Sequence, residues 1–143
     1  MAAKSSTFDN DLLKLIFNAT AIANIADNAA ASPLTNIYVS LHTATTAVGG
    51  SQTTNEAAYT SYARVAVART TGGWTVTGAS VSPVATISFP AATGGSETET
   101  YWAVGTLASG AGKVLYFGTI TPTIAVTSGV TPQLTTASAV TES

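Results

Sequence analysis

Between Asp9 and about Asp27, the apolar residues Leu12, Leu13, Leu15, Ile16, Ala19, Ile22, Ala23 and Ile25/Ala26 recur at helical spacing. Asp9, Asn10 and Asp11 stand ahead of them, where side-chain oxygens can accept the first free N–H groups and suit the positive end of the helix dipole. The spacing predicts an amphipathic helix over 9–27. Its expected role is to cover one face or edge of a sheet, with a partner-binding helix as the alternative, and Leu12, Ile16 and Ile22 are expected to pack onto the sheet or a neighbouring subunit. Asn28 is the expected stop, and Pro33 forces Ser32 toward an extended conformation.

Beyond Pro33 the period changes from helical to two. In residues 36–43, Ile37, Val39 and Leu41 alternate with Tyr38, Ser40 and His42, the pattern of a half-buried strand. Residues 44–59 form a polar stretch long enough to predict a functional or mobile loop. Residues 62–69 alternate again, and Thr70-Thr71-Gly72-Gly73 predicts a hairpin turn into a strand at 74–77. Further strands are expected near 80–82, 85–89, 98–106, 113–120, 123–126, 129–134 and 137–141. About eight or nine short strands divided by turn residues predict a mainly β fold, an antiparallel β-sandwich or jelly roll with one N-terminal α-helix. No linker-like stretch interrupts the pattern. A single domain over 1–143 is therefore expected, with the helix at 9–27 and the sandwich at 34–143.

Composition narrows the function. Charged residues are 8% of the chain, against roughly 25% in a typical soluble domain. Thr and Ala supply 26 residues each. With a net charge of −2 and only Lys4, Lys14, Arg64, Arg69 and Lys113 as bases, the chain lacks the clustered cations that displace counterions from nucleic acid or anchor a protein to anionic lipid. Three stretches, 28–55, 70–96 and 114–141, carry no Asp, Glu, Lys or Arg. Ser, Thr, Gly and Pro interrupt them, so none reads as an apolar helix of about 20 residues. The candidate strands are too short for a membrane barrel, which needs roughly 9–11 residues per strand. The first residues turn polar where a leader would become apolar, so no targeting segment is expected. Cysteine is absent, which excludes disulfides and thiolate chemistry.

No constellation for catalysis emerges. His42 is the only histidine, too few for a metal site, and no GxSxG elbow accompanies it. Glu97 and Glu99 share one strand face and read as a solvated strand end rather than a hydrolytic pair. The glycine pairs read as hairpin turns, because none is followed by the Lys-Ser/Thr of a phosphate loop. A non-enzymatic protein with no catalytic, cofactor or metal residue is expected. Arg64 and Arg69, the only arginines, fall on opposite faces of one strand and serve either buried ion pairs or an interface. Tyr38, Tyr59, Tyr62, Trp74, Tyr101 and Trp102 suit stacking on sugars or, equally, a core and an interface. The candidate interface residues are Arg64, Arg69, Tyr38 and Tyr62.

Four segments carry a resemblance: Asn36-Ile37-Tyr38-Val39-Ser40-Leu41-His42-Thr43-Ala44, Tyr62-Ala63-Arg64-Val65-Ala66-Val67-Ala68-Arg69, Ile87-Ser88-Phe89-Pro90-Ala91-Ala92-Thr93, and Ala108-Ser109-Gly110-Ala111-Gly112-Lys113-Val114-Leu115-Tyr116-Phe117-Gly118. With the leading helix and the Ser128-Gly129-Val130 turn, they resemble a family of small structural proteins from tailed bacteriophages. Within it they resemble the jelly-roll cement (head-decoration) protein of a Bordetella phage. The resemblance implies a virion protein on the outer surface of an HK97-like capsid, where it bridges neighbouring capsomers. Its implied partners are the major capsid protein and a second copy of itself, as a homodimer, with no nucleic acid and no membrane. A tail-fibre or baseplate protein and a carbohydrate-binding β-sandwich module are the alternatives. Low charge suits a component used in many crowded copies, because it weakens self-repulsion.

Overall fold

The computed structural model describes residues 6–22, 33–46 and 49–142. Its elements are α1 (Ser6–Phe17), β1 (Asn36–His42), β2 (Val65–Ala68), β3 (Trp74–Thr77), β4 (Ser80–Pro83), β5 (Ile87–Ser88), β6 (Ser96–Gly105), β7 (Val114–Thr127), β8 (Gln133–Leu134) and β9 (Val140–Thr141). The fold is mainly β, with antiparallel pairing between strands and a single short helix, consistent with the expected β-sandwich bearing one N-terminal helix. The chain forms two compact units, each assembled from separated segments.

The first unit takes its described residues from Met1–Asn36, Ala68–Thr86 and Thr135–Ser143. Its sheet has the order β3-β4-β9. Thr77 pairs with Ser80 across a two-residue turn, and Gly78 supplies the positive φ of 59° that such a turn requires at its first position. Residues 70–73 do form a turn, with Gly73 N–H and Trp74 N–H both donating to the Thr70 carbonyl. It is not the expected hairpin, because β2 and β3 lie in different sheets and β3 pairs with β4.

The helix is shorter than 9–27 and buries a different stripe. It begins at Ser6, ahead of the expected Asp9 cap, and ends at Phe17. Ala19 then turns left-handed at φ 53°, and Thr20 N–H folds back to the Lys14 carbonyl. Residues 23–27 of the expected helix lie outside the described residues. Leu13 and Phe17 are fully buried, while Leu12, Ile16 and Ile22 are only half-buried. Leu13 and Phe17 are four residues apart and so share one face. Phe17 meets buried Trp74 edge-on, with ring centroids 4.8 Å apart. Asn10 Nδ2 donates to the Gly78 carbonyl at 2.7 Å, tying the helix to the hairpin turn.

The second unit spans Ile37–Val67 and Ile87–Leu134. Its main sheet runs β2-β1-β6-β7, and a two-stranded ribbon pairs β5 with β8. Ile37, Val39, Leu41, Trp102 and Val104 are buried on one face of the main sheet. On the other face Ser40, His42 and Ala103 are also buried, so β1 is not the half-solvated strand that its alternation predicts. The strands expected at 113–120 and 123–126 are one strand, β7. Glu99 faces Ile124 while Tyr101 faces Thr119, so residues 120–123 bulge out of the ladder. Pro122, which has no N–H to give, sits in that bulge.

Candidate functional site

The polar face of β1 carries a cluster of chemically capable side chains. His42 Nδ1 lies 2.9 Å from the Thr54 carbonyl. A carbonyl only accepts, so Nδ1 holds the ring proton and Nε2 accepts from the Ser40 hydroxyl at 2.8 Å. That is the geometry of a serine–histidine dyad with a backbone carbonyl as the orienting group. Both side chains are 0% exposed, however, so no substrate reaches the serine from solvent. Burial pulls the His42 pKa down. The Thr54 hydrogen bond and the Glu56 charge oppose that pull, and Arg64 adds to it.

The same cluster closes the long stretch after β1. Glu56 bridges to His42 in antiparallel fashion, Thr43 N–H donates to Asn55 O, and Ala57 N–H donates to Leu41 O. Gln52, fully buried, accepts from Leu107 N–H through Oε1 at 2.9 Å, and its own N–H donates to the Gly112 carbonyl. Gly105 and Gly112 make room for it, since a Cβ on either would overlap the Gln52 side chain. The described part of the expected loop at 44–59 is therefore pinned to the sheet through these bonds, which belong to residues 52–57.

Arg64 holds the arrangement together. Its Nε and Nη2 donate to Glu56 Oε1 and Oε2 at 2.6 and 2.8 Å, a bidentate pair. Nη1 and Nη2 also donate to the Leu107 and Gly110 carbonyls at 2.9 and 2.7 Å. The Arg64 side chain is 2% exposed. Tyr62 joins the cluster by donating to Glu56 Oε1 and accepting from Leu41 N–H, both at 3.1 Å. Burial first, and the Glu56 charge second, push its hydroxyl pKa far up. The outcome is a turn at residues 107–110 fixed from beneath by Gln52 and Arg64, which presents Leu107 at 47% exposure.

Of the four candidate interface residues, Arg64 and Tyr62 meet at Glu56. Arg64 thus makes the buried ion pair, one of the two roles open to it from sequence. Arg69 belongs to the first unit. Its Nε and Nη2 donate to the Ile16 and Leu15 carbonyls at 2.6 and 2.7 Å, and Nη1 donates to Leu34 O at 2.6 Å. It caps the C-terminus of α1, where carbonyls lack partners and a cation suits the dipole. Tyr38 stays half-buried on β1, opposite Gly105, apart from these contacts.

Glu97 and Glu99 are not a solvated strand end. Glu97 is half-buried and its Oε1 accepts from Ala58 N–H and Tyr59 N–H at 2.8 and 2.7 Å. Glu99 is 0% exposed. Sequence reasoning also passed over Gln52 and Glu56. Glu56 did leave a signal, as the single acid between Asp27 and Glu97, eight residues ahead of an arginine. Among the described residues no group of three or more His, Cys, Asp or Glu could hold a metal ion. None of their helices is long and apolar enough to cross a membrane.

Residues 3–141 match the family described as podophage GP4 fiber I protein gp80. The chain belongs to this family and is a phage structural protein. The match supports the phage part of the resemblance seen in the sequence, and its fibre description fits the tail-fibre alternative better than the head-decoration reading. No curated protein matches the chain.

Proposed function

We propose that this chain is a non-enzymatic subunit of a podophage tail fibre, working through contacts with further copies of itself and with neighbouring fibre proteins. The observation that carries the reading is the family match across residues 3–141. The placement of the polar side chains agrees with it. Arg64, Glu56, Gln52, His42 and Arg69 spend their hydrogen bonds on the protein's own backbone and on one another, which is architecture rather than chemistry offered to a substrate. The long strand β7 carries no charge, so electrostatic repulsion does little to keep copies apart along it.

The resemblance of segments such as 36–44 and 108–118 to head-decoration proteins supports a second reading, in which the chain bridges capsomers on the head. Particles made without this protein separate the two. The fibre reading expects heads with unchanged heat and osmotic resistance but defective attachment to cells. Heads that lose resistance while attachment is kept would overturn it in favour of the decoration reading.

A further inference from the structure

We propose that Glu97 and Glu99 form a proton-sharing carboxyl pair that latches the 57–60 segment onto β6 and loosens it when the shared proton is lost. The two residues are i and i+2 on β6, so both side chains leave the same face of the strand. Glu97 holds the segment directly, accepting from Ala58 N–H and Tyr59 N–H through one oxygen. Glu99 is fully buried, and neither of its carboxylate oxygens reaches a donor. The Tyr59 hydroxyl, which feels the Glu99 charge, donates to the Pro90 carbonyl at 2.9 Å.

An ionised Glu99 would therefore be a buried anion with no donor, placed beside a second carboxylate. That combination is strongly unfavourable. The titratable groups facing it are Glu97 on its own strand and Tyr59 on the latched segment. Its β7 register neighbours, Ile124 and Val126 opposite the pair, carry no charge. As two carboxylates, Glu97 and Glu99 are both acceptors and no bond can join them. A proton on Glu99 supplies the missing donor and leaves Glu97 free to hold the two amides. Burial, then the Glu97 charge and this hydrogen bond, push the Glu99 pKa up to about 8. The same surroundings push the Tyr59 hydroxyl up to about 12, with burial first.

The direction of the pH dependence follows. A carboxyl that holds its proton more tightly in the closed state binds more protons there than in the opened state, between its ordinary value of 4.5 and about 8. The closed latch therefore weakens as pH rises through that window and weakens no further above it. Full coupling would raise the opening constant by up to about tenfold per pH unit.

The test follows the side-chain carboxyl resonances of the wild-type protein by carbon NMR, together with amide exchange at Ala58 and Tyr59. We expect Glu99 to titrate near 8, and the two amides to lose protection between about pH 6 and 8 beyond the ordinary base-catalysed increase. Glu99→Gln, whose amide offers Glu97 a permanent donor, should keep that protection flat. Titration of Glu99 below about 6, or an unchanged loss of protection in Glu99→Gln, would overturn the proposal. Should Glu99→Gln not fold, the wild-type carboxyl titration decides alone. Restored protection above pH 8 on adding millimolar calcium, absent in Glu99→Gln, would also overturn it, because the pair would then be a cation site.

Discussion

Removing Glu56 should be among the most damaging polar substitutions in the second unit. In Glu56→Ala, the Arg64 guanidinium stays 2% exposed but loses both bonds of its bidentate pair. Its remaining partners are two carbonyls, Leu107 O and Gly110 O, which do not neutralise it. Breaking a buried ion pair from one side costs about 3–5 kcal/mol, because the surviving charge is left uncompensated. Glu56 keeps some contact with water at 16% exposure, which places the expectation toward the lower end. Tyr62 also loses its acceptor, worth about 0.5–1.5 kcal/mol. The expected loss is about 3.5–4.5 kcal/mol, a large share of the roughly 5–15 kcal/mol that holds a domain together.

The assay is urea denaturation of Glu56→Ala, Arg64→Met and the double variant. If the pair acts as described, the double variant loses less than the sum of the singles, with a coupling of at least about 2 kcal/mol. A Glu56→Ala loss below about 1 kcal/mol, or additive singles, would refute the staple.

Three further outcomes are expected. Arg69→Ala should fray α1 at a cost of about 1–3 kcal/mol, read as faster amide exchange in residues 13–17, since three carbonyls lose their cationic donor. Phe17→Ala should cost about 3–5 kcal/mol in chemical denaturation, while half-buried Ile16→Ala costs clearly less; the reverse order would place the buried stripe wrongly. Because burial lowers the His42 pKa in the folded state, the unfolded chain binds more protons below 6.5, so stability is full above that value and falls as pH drops toward the folded pKa. His42→Gln should flatten this acid limb of the denaturation midpoint, and an unchanged limb would assign it to other groups.

The fold class was legible because alternation and turn residues act locally. Trp74–Thr77 and Asn36–His42 are read almost to the residue, and Gly78 marks its hairpin through its backbone freedom alone. What pattern could not supply was the partner of each strand. Thr70-Thr71-Gly72-Gly73 has hairpin chemistry, yet β3 finds β4, because pairing is settled by the rest of the sheet. The helix end was hidden for a similar reason. Apolar spacing continues past Phe17, but Arg69, far along the chain, caps the carbonyls of Leu15 and Ile16 where α1 stops.

The polar cluster was harder still. Single letters cannot show that Arg64 reaches Glu56 and two carbonyls at once, or that Gly105 and Gly112 are small to admit Gln52. In a chain with so few charges the two arginines stand out as residues with a task, and Arg64 ties the chain's own loops together while Arg69 caps the end of α1. Leu107 stands exposed, and the exposed positions of β7 are uncharged, Thr119, Thr121, Thr123 and Thr127 among them.

Cryo-electron microscopy of a podophage particle containing this protein separates a place in the fibre from a place on the head. Density matching the sheet β2-β1-β6-β7 and its ribbon β5-β8 is expected within the fibres, in several copies per particle. The same density over the capsomers of the head, with none in the fibres, would contradict the fibre reading.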